Sequence, residues 1–109
     1  MCSTITYDEF KKVELKVGEV KAVEPHPNAD KLLILRVDLG GEERQLVAGL
    51  KTWYKPEQLI GRKVIVVVNL APVNLRGVQS NGMLLAAQHG NDVVVLTTEK
   101  DIPAGAKVL

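Results

Sequence analysis

The segment Tyr54-Lys55-Pro56-Glu57-Gln58-Leu59-Ile60-Gly61-Arg62-Lys63-Val64-Ile65-Val66-Val67-Val68 decides the fold. Pro56 suits a first helical position, where its missing N–H is no loss, and Gly61 follows Ile60 as a terminator. Together they bound a single helical turn, Glu57 to Ile60. The chain passes at once into a strand, Arg62 to Leu70, whose centre is apolar on both faces. Such a strand is central in its sheet or has one face under another subunit. Trp53 and Tyr54 stand just before the turn. Large aromatics there can stack on nucleobases or plug the end of a barrel or an interface, and the structural role is the favoured one.

Towards the N-terminus, Arg44 to Leu50 reads as a strand returning from Leu32 to Leu39, with Gly40-Gly41 as the hairpin between them. Leu33, Leu35, Val37 and Leu39 share one face of the earlier strand. Before it lies a loop, Glu24-Pro25-His26-Pro27-Asn28-Ala29-Asp30-Lys31, whose prolines fix φ and remove donors. The first strand is Val13 to Val23. Its apolar residues fall on odd positions through Val17 and on even ones from Val20. A strand's period of two cannot change phase without an irregularity, so a bulge is expected at Gly18-Glu19. At the front, Thr6 and Glu9 form a capping box, and Ile5 and Phe10 form a hydrophobic staple. The spacing predicts a short helix over Tyr7 to Lys12, with its apolar members covering one end of the core.

Towards the C-terminus, Ala71-Pro72-Val73-Asn74 ends the central strand. A strand is expected over Met83 to Gln88, then a turn at His89-Gly90-Asn91-Asp92, a strand over Val93 to Thr98, and a tail from Ile102 to Leu109. The count is five or six strands with one short helix in the middle. No strand–helix alternation supports a parallel sheet. The expectation is an all-β chain closed into a barrel, and a helix between the third and fourth strands marks the OB-fold, a five-stranded Greek-key barrel with short terminal extensions here. A small sandwich is the alternative.

The chain has 109 residues, one domain by length, enough to bury a core without staples. Its longest apolar run, Val64 to Val68, is far too short to span a bilayer. The first residues lack the basic and apolar regions of a signal peptide. A single cysteine, Cys2, excludes an internal disulfide and a cysteine zinc cluster. These features suggest a cytoplasmic protein without a membrane association. His26 and His89 lack partners at the spacing of a triad or a metal site, so no catalytic residue, metal or cofactor is expected. The net charge is only +1, yet between Arg44 and Gly90 six basic residues face one acid, Glu57. That local surplus fits a polyanionic partner, and equally an ordinary solvated surface.

The basic middle surrounds Leu75-Arg76-Gly77-Val78-Gln79-Ser80-Asn81-Gly82-Met83-Leu84-Leu85-Ala86-Ala87. Gly77 and Gly82 bracket a polar loop and can take positive φ freely. Two amides and a hydroxyl beside a methionine suit a surface that hydrogen-bonds a polar partner and offers it a soft apolar contact. A hairpin turn entering a buried strand explains the same residues.

The order of blocks closely resembles the tRNA-binding domain family. They are His26-Pro27-Asn28-Ala29-Asp30-Lys31-Leu32, Val37-Asp38-Leu39-Gly40, Val47-Ala48-Gly49-Leu50, Tyr54-Lys55-Pro56-Glu57, Asn69-Leu70-Ala71-Pro72, Leu75-Arg76-Gly77-Val78 and Ser80 to Ala87. This domain ends many bacterial methionyl-tRNA synthetases and also occurs as a free-standing dimeric protein. The resemblance runs from about Phe10 to Val108. It implies an OB-fold homodimer that binds tRNA by shape at the outer corner of the L, with no catalysis of its own. It implies tRNA contacts from Ser80 and Met83, from the cations Lys31, Lys51 and Arg76, and from the amides Asn28 and Asn81. The family's dimer uses terminal segments, here the Tyr7 to Lys12 turn and the strands after Val93. The start at Met1 fits a free-standing protein, and a synthetase fragment would look the same. A separate methionyl-tRNA synthetase catalytic subunit is a further expected partner. The rival reading is a protein-binding relative, an export chaperone with the same barrel.

Overall fold

The computed structural model describes residues 3–109, so Cys2 lies outside the described residues. The elements run α1 (Tyr7–Phe10), β1 (Leu15–Pro25), β2 (Leu33–Asp38), β3 (Glu43–Ala48), α2 (Pro56–Leu59) and β4 (Lys63–Val67). They continue as β5 (Val73–Leu75), β6 (Val78–Ser80), β7 (Met83–Leu84), β8 (Ala86–His89) and β9 (Asp92–Val95). The main sheet has the order β3-β2-β1-β4-β7, all antiparallel, and two small hairpins, β5-β6 and β8-β9, stand beside it. The all-β, helix-punctuated architecture is the one expected.

The sheet nearly closes on itself. The Asn81 amide donates to the Gln45 carbonyl at 2.8 Å, and the Gln45 side chain donates to the Gln79 carbonyl at 2.8 Å. These bonds stitch β3 to β6 and to the residue that follows it. Gly82 sits in the seam at φ +126, where a Cβ would lie 3.1 Å from both the Val67 carbonyl oxygen and a Leu46 methyl. Closure therefore demands a glycine for its conformation and for its lack of a side chain.

The barrel is filled by Val20, Leu33, Leu35, Val37, Leu39, Leu46, Leu50, Leu59, Val64, Val66, Val68 and Leu84. β2 supplies the alternating set expected of it. Burying one such side chain is worth about 1.5–3 kcal/mol, so this set drives folding. Gly40 and Gly41 take φ of +86 and +103 in the β2–β3 turn. α2 opens on Pro56 and plugs the barrel with Leu59, which is 2 % exposed.

Three expectations need correction. The bulge in β1 falls between Val20 and Ala22, not at Gly18-Glu19, where pairing with β4 is regular. Gly18 is required for close packing instead: a Cβ there would meet the Val37 side chain and come 3.0 Å from Leu39. Val17, on the odd phase, is buried outside the core, where Ala106 and Gly105 hydrogen-bond to its backbone.

α1 has the capping box, with the Glu9 amide donating to Thr6 Oγ1 at 3.1 Å, but it covers no part of the core. Tyr7 and Phe10 are exposed. The expected Met83 to Gln88 strand is broken at Leu85. Its second half, Ala86–His89, is exposed and pairs with Asp92–Val95 as a separate hairpin.

Candidate nucleic-acid interface

The loop between β1 and β2 is held in shape by a histidine. His26 is 5 % exposed. Its Nδ1 accepts from the Asn28 amide at 2.9 Å, so Nε2 carries the proton and donates to the Leu75 carbonyl at 2.9 Å. One ring thus shapes the Pro27-Asn28 turn and ties it to the β5–β6 hairpin. Sequence reasoning gave this residue no role. The signal available was its position between two prolines, which leaves a ring little freedom.

Of the two readings of the stretch around Gly77, a polar loop or a hairpin turn, the structure has a hairpin, β5–β6. Val73–Leu75 pairs with Val78–Ser80 around a two-residue turn, Arg76 at φ 56 and Gly77 at φ 93. Positive φ at both centres is the turn that suits the twist of a hairpin. Asn74 Oδ1 accepts from the Gly77 amide at 2.9 Å. Arg76 is the sole non-glycine at positive φ among the described residues, a conformation that costs an L-residue about 1–2 kcal/mol. Its guanidinium Nη2 donates to the Asn28 carbonyl at 3.1 Å, a second tie between hairpin and loop.

The other end of the same loop meets the segment after β3. The Lys51 amide donates to the Lys31 carbonyl at 3.3 Å. Lys31 and Lys51 are both exposed, as are Asn28 and Arg76. The four residues therefore line one continuous rim, from the Lys51 segment through the loop to the hairpin tip.

Along the hairpin's base, Val47, Leu70, Val73, Leu75, Ser80 and Met83 bound an open groove. Met83 is 48 % exposed and Asn81 half-buried. Ser80 differs from its expected placement. It is 6 % exposed, its hydroxyl accepts from the Val47 amide at 3.0 Å and donates to the Gly82 carbonyl at 2.9 Å. It closes the barrel beneath the groove and does not present its hydroxyl to the surface.

The basic middle of the sequence is not one patch. The Arg44 guanidinium donates to the Val68 carbonyl and pairs with Glu42 at 3.1 Å. Lys63 pairs with Asp101 at 2.8 Å, and that hydrogen bond raises the lysine above its ordinary pKa and lowers the aspartate. Among the described residues no group of three or more His, Cys, Asp or Glu side chains is placed to hold a metal. Among the described residues no helix is long and apolar enough to cross a membrane.

Residues 15–107 match the model of the putative tRNA-binding domain family. The methionine–tRNA ligase of Pyrococcus furiosus is 54 % identical over 104 residues, which is 95 % of this chain and 14 % of that enzyme. The chain thus spans about one-seventh of the curated relatives it matches. A MetRS-related protein from Pyrococcus horikoshii has a crystal structure 40 % identical, with a TM-score of 0.93, covering 99 % of this chain and all of that one. The chaperone CsaA from Bacillus anthracis is 28 % identical, with a TM-score of 0.89, covering 98 % and 100 %. The chain belongs to the putative tRNA-binding domain family, and its relatives include the corresponding region of methionine–tRNA ligases.

Proposed function

We infer that the chain is a non-catalytic module that binds tRNA by shape and raises the tRNA affinity of a methionyl-tRNA synthetase. It raises that affinity as part of the enzyme or as its separate partner; as a free-standing protein it binds tRNA on its own. The observation that carries the reading is the rim formed where the exposed Arg76 bonds the Asn28 carbonyl and the Lys51 amide bonds the Lys31 carbonyl, at the two ends of one loop. Cations on one rim neutralise neighbouring phosphates and release counterions. The amides of Asn28 and Asn81 suit phosphate or 2′-hydroxyl oxygens, the latter being the group that marks RNA. Met83 offers a soft apolar contact to a sugar or base. Ser80 serves from below, by fixing the Gly82 seam from which Met83 projects.

Three cations give modest affinity for one copy. Two copies gripping one folded RNA would gain from effective concentration. Support for a homodimer comes from exposed apolar residues at both termini: Ile5, Tyr7 and Phe10 near the front, Val94, Leu96 and Ile102 near the end.

A mobility-shift series with folded tRNA, heat-unfolded tRNA and single-stranded DNA tests the reading, with protein mass measured alongside. The expected order of affinity is folded tRNA first by at least tenfold, with a mass of two chains. Equal affinity for all three would reject recognition by shape. A second reading, capture of unfolded polypeptide, is favoured by the apolar groove beside Met83 and by the likeness to CsaA. Preferential binding of an unfolded protein over folded tRNA in the same assay would establish it.

A further inference from the structure

We propose that a second pocket, bordered by Lys31, takes one unstacked nucleobase of the bound RNA against Trp53. The pocket has a volume of about 560 Å3, within the range of small-ligand sites, and Lys31, Gly49, Thr52, Trp53, Gln88 and Asn91 line it. The proposal rests on the tRNA reading and adds a ligand contact to it.

Two adjacent aromatics divide the work. Tyr54 is half-buried, packs against the barrel core, and its hydroxyl accepts from the Val95 amide at 3.1 Å. With Val93 and Val95, which also pack on that core, it fastens the β8–β9 hairpin to the barrel. Trp53 contributes nothing to that core and keeps 38 % of its surface exposed. Its indole Nε1 donates to the Asn91 carbonyl at 2.7 Å, which pins the ring at the pocket wall. A large apolar side chain that is oriented yet left open is a stacking platform in waiting.

The rest of the lining supplies what a nucleotide needs. Gln88, Asn91 and Thr52 are exposed and carry the donors and acceptors that read a base edge. Lys31 borders the pocket, and Lys51 is joined to it through the backbone, so two cations are available to the phosphate on either side of the base. The same two lysines belong to the rim already described, which makes rim and pocket one continuous track. An unpaired base of a folded RNA fits this chemistry. A base within a duplex is shielded by its stack and does not.

Trp53 is the only tryptophan in the chain, so its emission reports on this pocket alone. Titration of the whole protein with a tRNA transcript should quench that emission in step with the mobility shift. Trp53→Leu should weaken tRNA binding roughly tenfold or more, while Trp53→Phe keeps most of the affinity. Both variants lose the bond to Asn91, so only the flat ring separates them, and thermal melts establish that both are folded. Saturation with tRNA at unchanged emission, or equal affinity of the two variants, would overturn the base pocket and leave rim binding intact. Absence of any tRNA shift would remove the underlying reading and the pocket with it.

Discussion

The imidazole of His26 donates to the carbonyl of Leu75, 49 residues away in sequence, at 2.9 Å. That bond fixes the loop carrying Asn28 and Lys31 against the hairpin carrying Arg76. The cationic rim exists because these two segments are held together. His26→Ala removes this bond and the acceptor for the Asn28 amide. The expected cost is about 1–3 kcal/mol, because two part-buried hydrogen bonds are lost together. Urea melts check the stability, and the weakening of tRNA binding should exceed that of an alanine substitution at any single rim lysine.

Ser80→Ala acts from inside. The Val47 amide loses its acceptor in a buried seam, so the barrel should lose about 1–3 kcal/mol. A lower midpoint in denaturant should accompany any loss of tRNA binding. A surface contact would behave differently, lowering affinity at unchanged stability.

Arg76 occupies a backbone conformation better suited to asparagine or glycine. Arg76→Asn should therefore raise stability, or leave it level, by up to about 1 kcal/mol, while reducing tRNA affinity. Thermal melts and binding assays on the same preparation separate the two effects. A residue that costs stability while serving recognition is the signature to look for.

Asp38 gives a pH-dependent handle on the β2–β3 turn. Hydrogen bonds from the Gly41 and Gly40 amides hold its carboxyl below the usual aspartate range. A depressed folded pKa contributes stability above the unfolded value, and that contribution is lost as pH falls through the folded one. Wild type should thus lose stability as acid takes the pH below about 4, the ordinary aspartate value. Asp38→Asn keeps an acceptor for the two glycines and should remove that part of the acid dependence. Melting temperature followed from neutral pH downwards checks it.

Much of the fold was legible because its signals are local. The Thr6–Glu9 box, the Gly40-Gly41 turn, the Pro56 to Gly61 punctuation and the alternation along β2 each depend on neighbours in sequence. What escaped depends on distant partners. Gly18 resembles a bulge glycine in sequence, yet its cause is Val37 and Leu39 across the sheet. The strand after Met83 breaks at Leu85, whose amide bonds Ile65 while its carbonyl accepts from Leu96, a pattern no periodicity carries. Ser80 has the residue type of a surface contact, but the edge of β3 claims its hydroxyl. Lys31, Lys51 and Arg76 follow from resemblance alone; the joining of the segments that carry them depends on hydrogen bonds spanning the fold.

The most direct test is the salt dependence of tRNA binding for wild type and for the Lys31→Ala, Lys51→Ala, Arg76→Ala triple variant. Each lost phosphate contact lowers the slope of log affinity against log salt by about one, so the triple variant should bind weakly at low salt with a slope smaller by up to about three. Wild-type affinity in the triple variant at low salt, with an unchanged slope, would contradict a cationic rim as the tRNA-binding surface.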